Sequence, residues 1–126
     1  MKALNVVSCA YRATSEEQDD TIVWLAGTLR NGGADVELLL RGNSVNYCVA
    51  AQRSVPVEIG ASVQRNPPDP AGDLTRFIAK GGRVYVIAED LAARGIIAPD
   101  LIPDVQLLGR GALPALYERY DRVWSW

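Results

Sequence analysis

The chain has 126 residues, with 13 basic against 15 acidic side chains, a net charge of −2, and 48% apolar residues. Those proportions support one compact domain over residues 1–126 with a sizeable core, exclude a disordered chain, and leave no global pull toward nucleic acid or an anionic membrane. Histidine is absent, which excludes Ser-His-Asp and Cys-His catalysis within the chain and every His-ligated metal site.

Ala3-Leu4-Asn5-Val6-Val7-Ser8 reads as a buried strand. Thr14 and Glu17 stand at capping-box spacing and predict a helix start. Ile22, Leu25, Ala26 and Leu29 then share one helical face, and Asn31-Gly32-Gly33 closes the helix. Asp35–Leu40 is the second strand, broken by Arg41-Gly42-Asn43, and Val45–Gln52 predicts a short helix. Arg53 to Pro70 holds Pro56, Gly60, Pro67, Pro68 and Pro70. It reads as a surface excursion, with room for a short strand near Val57–Ile59, and a loop so long is either mobile or functional. Leu74, Phe77 and Ile78 mark a helix ended by Gly81-Gly82, and Arg83–Ala88 is the third strand. A short helix follows at Glu89–Arg94 and stops at Gly95. Val105–Leu108 is the fourth strand, Leu113, Leu116, Tyr117 and Tyr120 form a last amphipathic helix, and Val123-Trp124-Ser125-Trp126 is the tail. The two tail tryptophans suit either folding back on the domain or filling a groove on a neighbour.

Strand and helix alternate, and the strands are nearly continuous apolar runs. That pattern predicts an α/β fold, a three-layer α/β/α sandwich with a mainly parallel sheet of four to five strands. Such sheets bind ligands beyond the carboxyl ends of their strands. The functional edge is therefore expected from Ser8–Thr14, Arg41–Asn46, Ala88–Asp90 and Gly109–Gly111.

The first of these loops has no glycine, so it is neither a dinucleotide fingerprint nor a P-loop. Glu16, Glu17, Asp19 and Asp20 follow it and repel phosphate, which favours a solvated, well-capped helix start over a carboxylate metal site. The candidate ligand-binding residues are Tyr11, Arg12, Arg41, Gly42, Asn43, Asn46, Glu89 and Asp90. For Asn43 and Asn46 the alternative is a turn whose side chains bond their own backbone. Glu89 and Asp90 suit a general base or a metal ligand, but a helix cap is the simpler role. The candidate nucleophiles are Cys9, at the end of the first strand, and Cys48, near a helix start that would lower its pKa. Inert burial is the commoner fate of a free cysteine. Two cysteines are too few for a four-cysteine zinc site. No metal or cofactor is expected. The short apolar run after Lys2 is no signal peptide and no run is long enough to span a bilayer, so a soluble, reducing, cytoplasmic setting is the expectation.

The Gly42-Asn43-Ser44-Val45 turn, and Val84-Tyr85-Val86-Ile87 running into Ala92-Ala93-Arg94-Gly95-Ile96, resemble the DsrE/DsrF-like family, which includes TusB, TusC and TusD-type sulfur-relay subunits. The resemblance spans nearly the whole chain through loose motifs. It implies a three-layer domain that assembles as a homotrimer or hexamer, and a cysteine that carries persulfide sulfur to a relay partner. That cysteine would sit in the loop after Val84–Ile87, a few residues before an Arg-Gly pair. Arg94-Gly95 is present, but Ile87-Ala88-Glu89-Asp90-Leu91 holds no cysteine, and without a thiol no persulfide forms there.

Three functions follow. The first is a homo-oligomeric accessory or ligand-binding member that lacks the usual active cysteine. The second is a sulfur carrier using Cys9 or Cys48, with Arg12 or Arg41 beside the thiolate. The third is a non-thiol enzyme using Glu89 or Asp90 with Tyr11 and Asn43. The first is preferred.

Overall fold

The computed structural model describes residues 1–12, 14 and 18–126. The elements in chain order are β1 (Lys2–Val7), α1 (Thr21–Asn31), β2 (Asp35–Leu40), a 3-10 helix (Gly42–Cys48), β3 (Glu58–Ile59), β4 (Ser62–Val63), α2 (Pro70–Ala79), β5 (Val84–Ile87), α3 (Ala88–Ala92), β6 (Gln106–Leu108), α4 (Leu113–Tyr117) and β7 (Arg122–Ser125). The main sheet has five strands in the order β6-β5-β2-β1-β7, and every pairing in it is parallel. The sheet is flanked by helices, a three-layer α/β/α sandwich.

Alternation along the strands divides the core in two. Ala3, Val7, Leu38, Leu40, Val84 and Val86 face α1, α2 and the 3-10 helix, whose Ile22, Leu74, Phe77, Val45 and Tyr47 they meet. Leu4, Val6, Leu39, Tyr85 and Ile87 face the segment carrying α4, through Leu113 and Leu116.

Several boundaries differ from the sequence reading. The helix bearing Ile22 begins at Thr21 and is capped by Asp20, whose carboxylate accepts the Ile22 and Val23 amides. Glu17, half of the expected capping box, lies outside the described residues. The helix expected over Val45–Gln52 is a 3-10 turn shifted back to Gly42–Cys48. Within the excursion after it, the short strand expected near Val57–Ile59 is present as β3, and it pairs antiparallel with β4. The tail is a strand: β7 pairs with β1 and exposes the outer edge of the sheet. Asn5 explains part of this docking. It is buried mid-strand, and its Oδ1 accepts from Trp126 Nε1 at 3.4 Å, while its Nδ2 has no partner among the described residues.

The second face holds an unexpected charge. Glu37 lies in the central strand β2 and is buried. Lys2 Nζ approaches its carboxylate at 3.4 Å and Arg83 Nε at 3.8 Å. The Tyr85 and Tyr120 hydroxyls both donate to it. Burial, then the bond to Glu37, pushes the Tyr120 hydroxyl far up, so it remains a donor. The cluster fastens the chain after α4 to the sheet. Glu37→Ala is expected to cost about 3 kcal/mol, because two hydroxyls lose their acceptor, whereas Tyr120→Phe costs about 1 kcal/mol. Urea unfolding of the two variants checks the order; a smaller loss in Glu37→Ala would contradict it.

Candidate functional site

Three strand ends meet at Asp90. It is the third residue of α3, the helix that directly follows β5, and is buried. Its Oδ2 accepts the Gly42 amide at 2.7 Å, from the turn after β2. Its Oδ1 accepts Arg110 Nη2 at 2.6 Å, from the turn after β6. Gly42 has a φ of 57°, and a Cβ there would stand 3.2 Å from the Ser8 carbonyl oxygen. The left-handed φ and this close approach of the β1 and β2 ends together favour glycine here. Arg94 closes the ring by donating to the Asp90 carbonyl at 2.9 Å and to Asn43 Oδ1 at 2.6 Å. Glu89 accepts the Arg110 amide with both oxygens, at 3.0 and 2.9 Å.

This corrects the helix-cap reading of Glu89 and Asp90. The residue preceding α3 is Ile87, with no side-chain cap, and both carboxylates reach across to neighbouring strand ends instead. It also weighs against Asp90 as a general base. Desolvation raises its carboxyl, but the Gly42 amide and the Arg110 guanidinium outweigh that and hold it below the ordinary carboxylate range. A base working near neutrality needs the opposite shift.

The β1 end is built differently. Tyr11 has a φ of 58°, a left-handed conformation that strains a bulky residue by about 1–3 kcal/mol. Its amide donates to the Tyr47 hydroxyl at 2.6 Å, and that hydroxyl donates to Asp20 Oδ2 at 2.6 Å. Burial and then the bond to Asp20 push the Tyr47 hydroxyl up, so it stays protonated. The two rings meet edge to face with centroids 5.2 Å apart. The Tyr11 hydroxyl donates to Gln52 Oε1 at 3.2 Å, and Gln52 Nε2 is held by the carbonyls of Asn46, Tyr47 and Val49. Tyr11 is thus pinned, with half of its surface exposed. Beside it opens a cleft of about 330 Å³, lined by Tyr11, Thr14, Gln52, Arg53, Val55 and Pro68 among others.

The remaining expected residues separate. Asn46 Nδ2 donates to the Asn43 carbonyl at 2.8 Å, so Asn46 serves its own turn, while Asn43 serves Arg94. Arg12 is exposed and Arg41 half-buried, and neither guanidinium has an ion pair among the described residues. Cys9 is exposed and Cys48 buried, both as free thiols. Cys48 corrects the reactive-thiolate reading. It ends the 3-10 helix instead of opening a helix, lies in the core, and burial pushes its thiol up to about 12. Among the described residues no cluster of three or more His, Cys, Asp or Glu could hold a metal ion. The sequence reading missed Arg110, Gln52 and Arg53, and read Asp20 only as one of the acids of a capped helix start, which it is. Arg110 carried a signal, an arginine within the Gly109–Gly111 strand-end turn.

The architecture is that of known structures. The chain superposes on the crystal structure of YchN from E. coli with a TM-score of 0.73 at 19% identity, covering 100% of both chains. It shares the YchN fold. It also matches MTH1491 of Methanobacterium thermoautotrophicum, a protein of unknown function, with a TM-score of 0.58 at 16% identity over 97% of each chain. At these identities the likeness is one of fold alone. No family model and no curated protein matches the chain.

Two outcomes test the site. In the folded protein near neutral pH, Cys9 is expected to react with iodoacetamide and Cys48 to resist; labelling of Cys48 at the rate of Cys9 would refute its burial. Asp90→Asn is expected to cost about 2 kcal/mol at pH 7. Because the folded Asp90 pKa is depressed, its contribution is present above the unfolded value of about 3.9 and fades as pH falls through the folded value. The stability gap between wild type and Asp90→Asn should therefore close in acid; a gap constant with pH would refute the charge origin.

Proposed function

We propose that this protein is a binding member of the DsrE-like fold class that does not relay sulfur through the position after β5. The observation that carries this reading is Asp90. Where the resemblance would place an active thiol stands a buried carboxylate, with Gly42 on one oxygen and Arg110 on the other. A side chain so engaged offers neither a nucleophile nor space for a carried sulfur atom. Binding then falls to the rest of the carboxyl edge, where Arg12, Arg41 and Arg53 have no ion pair among the described residues.

The reading includes assembly into a homo-oligomer of three or six copies in a reducing, cytoplasmic setting. Two free thiols suit that setting. The hairpin supports assembly: Val57 and Ile59 alternate onto one face, Ile59 at 75% exposed and Val55 before them at 82%, while Val63, paired with Glu58, lies on the other face. Isolated exposed apolar residues are ordinary, but several on one short excursion suit contact with a second copy.

One observation favours a second reading, a sulfur carrier. Cys9 is an exposed free thiol just beyond the carboxyl end of β1. Its thiolate would attack the outer sulfur of a donor persulfide, the donor thiolate would leave, and an acceptor thiolate would later take that sulfur.

Intact-mass measurement after treatment with a persulfide donor, on wild type, Cys9→Ser and Cys48→Ser, separates the two readings. No thiol-reversible gain of sulfur is expected. A gain lost only in Cys9→Ser would establish the carrier and overturn the first reading. Light scattering of wild type and Ile59→Asp tests assembly: the wild type should be oligomeric and the variant smaller, and a monomeric wild type would remove that part.

A further inference from the structure

Among the described residues the carboxyl edge offers two places, one filled and one open. Around Asp90 the charges satisfy one another. Beside Tyr11 lies the cleft of about 330 Å³, bounded by the β1 end on one side and by the excursion after Gln52 on the other. We propose that this cleft binds a planar carboxylate ligand with a single negative charge, its carboxylate on Arg53 and its flat body against Tyr11, Val55 and Pro68. This deepens the binding reading above and rests on it.

The accounting of donors selects this chemistry. The Tyr11 hydroxyl donates to Gln52, the Thr14 hydroxyl to the Tyr11 carbonyl, and the Ser54 hydroxyl to the Pro68 carbonyl. All three contacts of the Gln52 amide nitrogen go to backbone carbonyls. The side-chain donors in the wall are thus committed, except those of Arg53, which is exposed and has no ion pair among the described residues. No carboxylate stands among the described lining residues. Among the described lining residues the site therefore presents one cation and no carboxylate, and a guanidinium meets a carboxylate with two parallel hydrogen bonds.

The remaining wall mixes committed polar groups with the apolar surfaces of Tyr11, Val55, Pro68 and Pro70. The Tyr11 ring cannot swing away, because its amide is held by Tyr47 and its hydroxyl by Gln52. A fixed aromatic face loses little entropy on binding and favours an offset or edge-on partner ring. Pro68 adds a second stiff surface, and the Ser54 bond to its carbonyl draws the two ends of the excursion together. The volume admits a ligand of one or two fused rings. Hydrogen-bond-rich ligands such as sugars are disfavoured, since few free donors remain to replace their bonds to water.

The test uses the full chain, isotope-labelled, titrated with 2-naphthoate and separately with neutral 2-naphthylmethanol, and followed by amide chemical shifts. Naphthoate should give saturable shifts at Tyr11, Gln52, Arg53 and Val55. Arg53→Gln should weaken naphthoate about tenfold and leave the alcohol unchanged. Val55→Asp, at an exposed position, should weaken naphthoate by placing a like charge in the cleft, and light scattering of the variant separates that effect from a change in assembly. Shifts centred instead on Trp24, in the groove between α1 and α2, would overturn the assignment. So would equal affinity in wild type and Arg53→Gln. The persulfide assay keeps the two claims apart. Sulfur loading on Cys9 with naphthoate still in the cleft would overturn the relay-free reading alone. Absence of both loading and naphthoate shifts would overturn the cleft alone.

Discussion

One carboxylate holds the carboxyl edge of the sheet together. Asp90 takes the Gly42 amide from the β2 end and the Arg110 guanidinium from the β6 end, and itself follows β5. Three neighbouring strands of a parallel sheet carry no turn that joins their carboxyl ends directly, since each is followed by a crossover. Their loops must be fixed by side chains instead. A carboxylate suits the task because it accepts from two directions at once and strengthens both bonds with its charge. The glycine at position 42 completes the arrangement by letting its backbone approach the Ser8 carbonyl.

That constraint decides where chemistry is available. Filling the place beyond β5 with a satisfied ion pair removes it as a reactive site. The open half of the edge lies past β1, where a strained Tyr11 is held by a chain of hydrogen bonds running through Tyr47 to Asp20. Asp20 also caps α1. The helix start and the pose of Tyr11 thus depend on the same carboxylate. Backbone strain at a ligand edge persists only where the surroundings over-determine it, and here they do.

The opposite face of the sheet follows the same logic with a different purpose. Glu37 is buried in the central strand yet has four polar neighbours, Lys2, Arg83, Tyr85 and Tyr120. An apolar residue there would remove the acceptor that gathers them. The segment after α4 has few apolar anchors, so this cluster and the pairing of β7 with β1 hold the last residues in place. Polar contacts thus secure β2 twice, at Glu37 within the strand and at Gly42 beyond its carboxyl end.

Much of the fold was legible in the chain. Val84–Ile87 and Asp35–Leu40 declare buried strands, and Gly32-Gly33 and Gly81-Gly82 declare helix ends, because local periodicity and left-handed glycine conformations are properties of short stretches. Val123-Trp124-Ser125-Trp126 did not declare a strand, since four residues carry too little pattern and the pairing with β1 is made across the whole chain. The candidate edge was legible as a set of loops, because parallel strands place all their carboxyl ends on one side. What each residue does there was not. Asp90 reads locally as a helix cap, and Cys48 as a thiol at a helix start; one is a bridge between strand ends and the other a core residue. Partners 20 to 48 residues apart decide those roles, and sequence spacing carries no record of a contact that only the folded sheet brings within hydrogen-bonding distance.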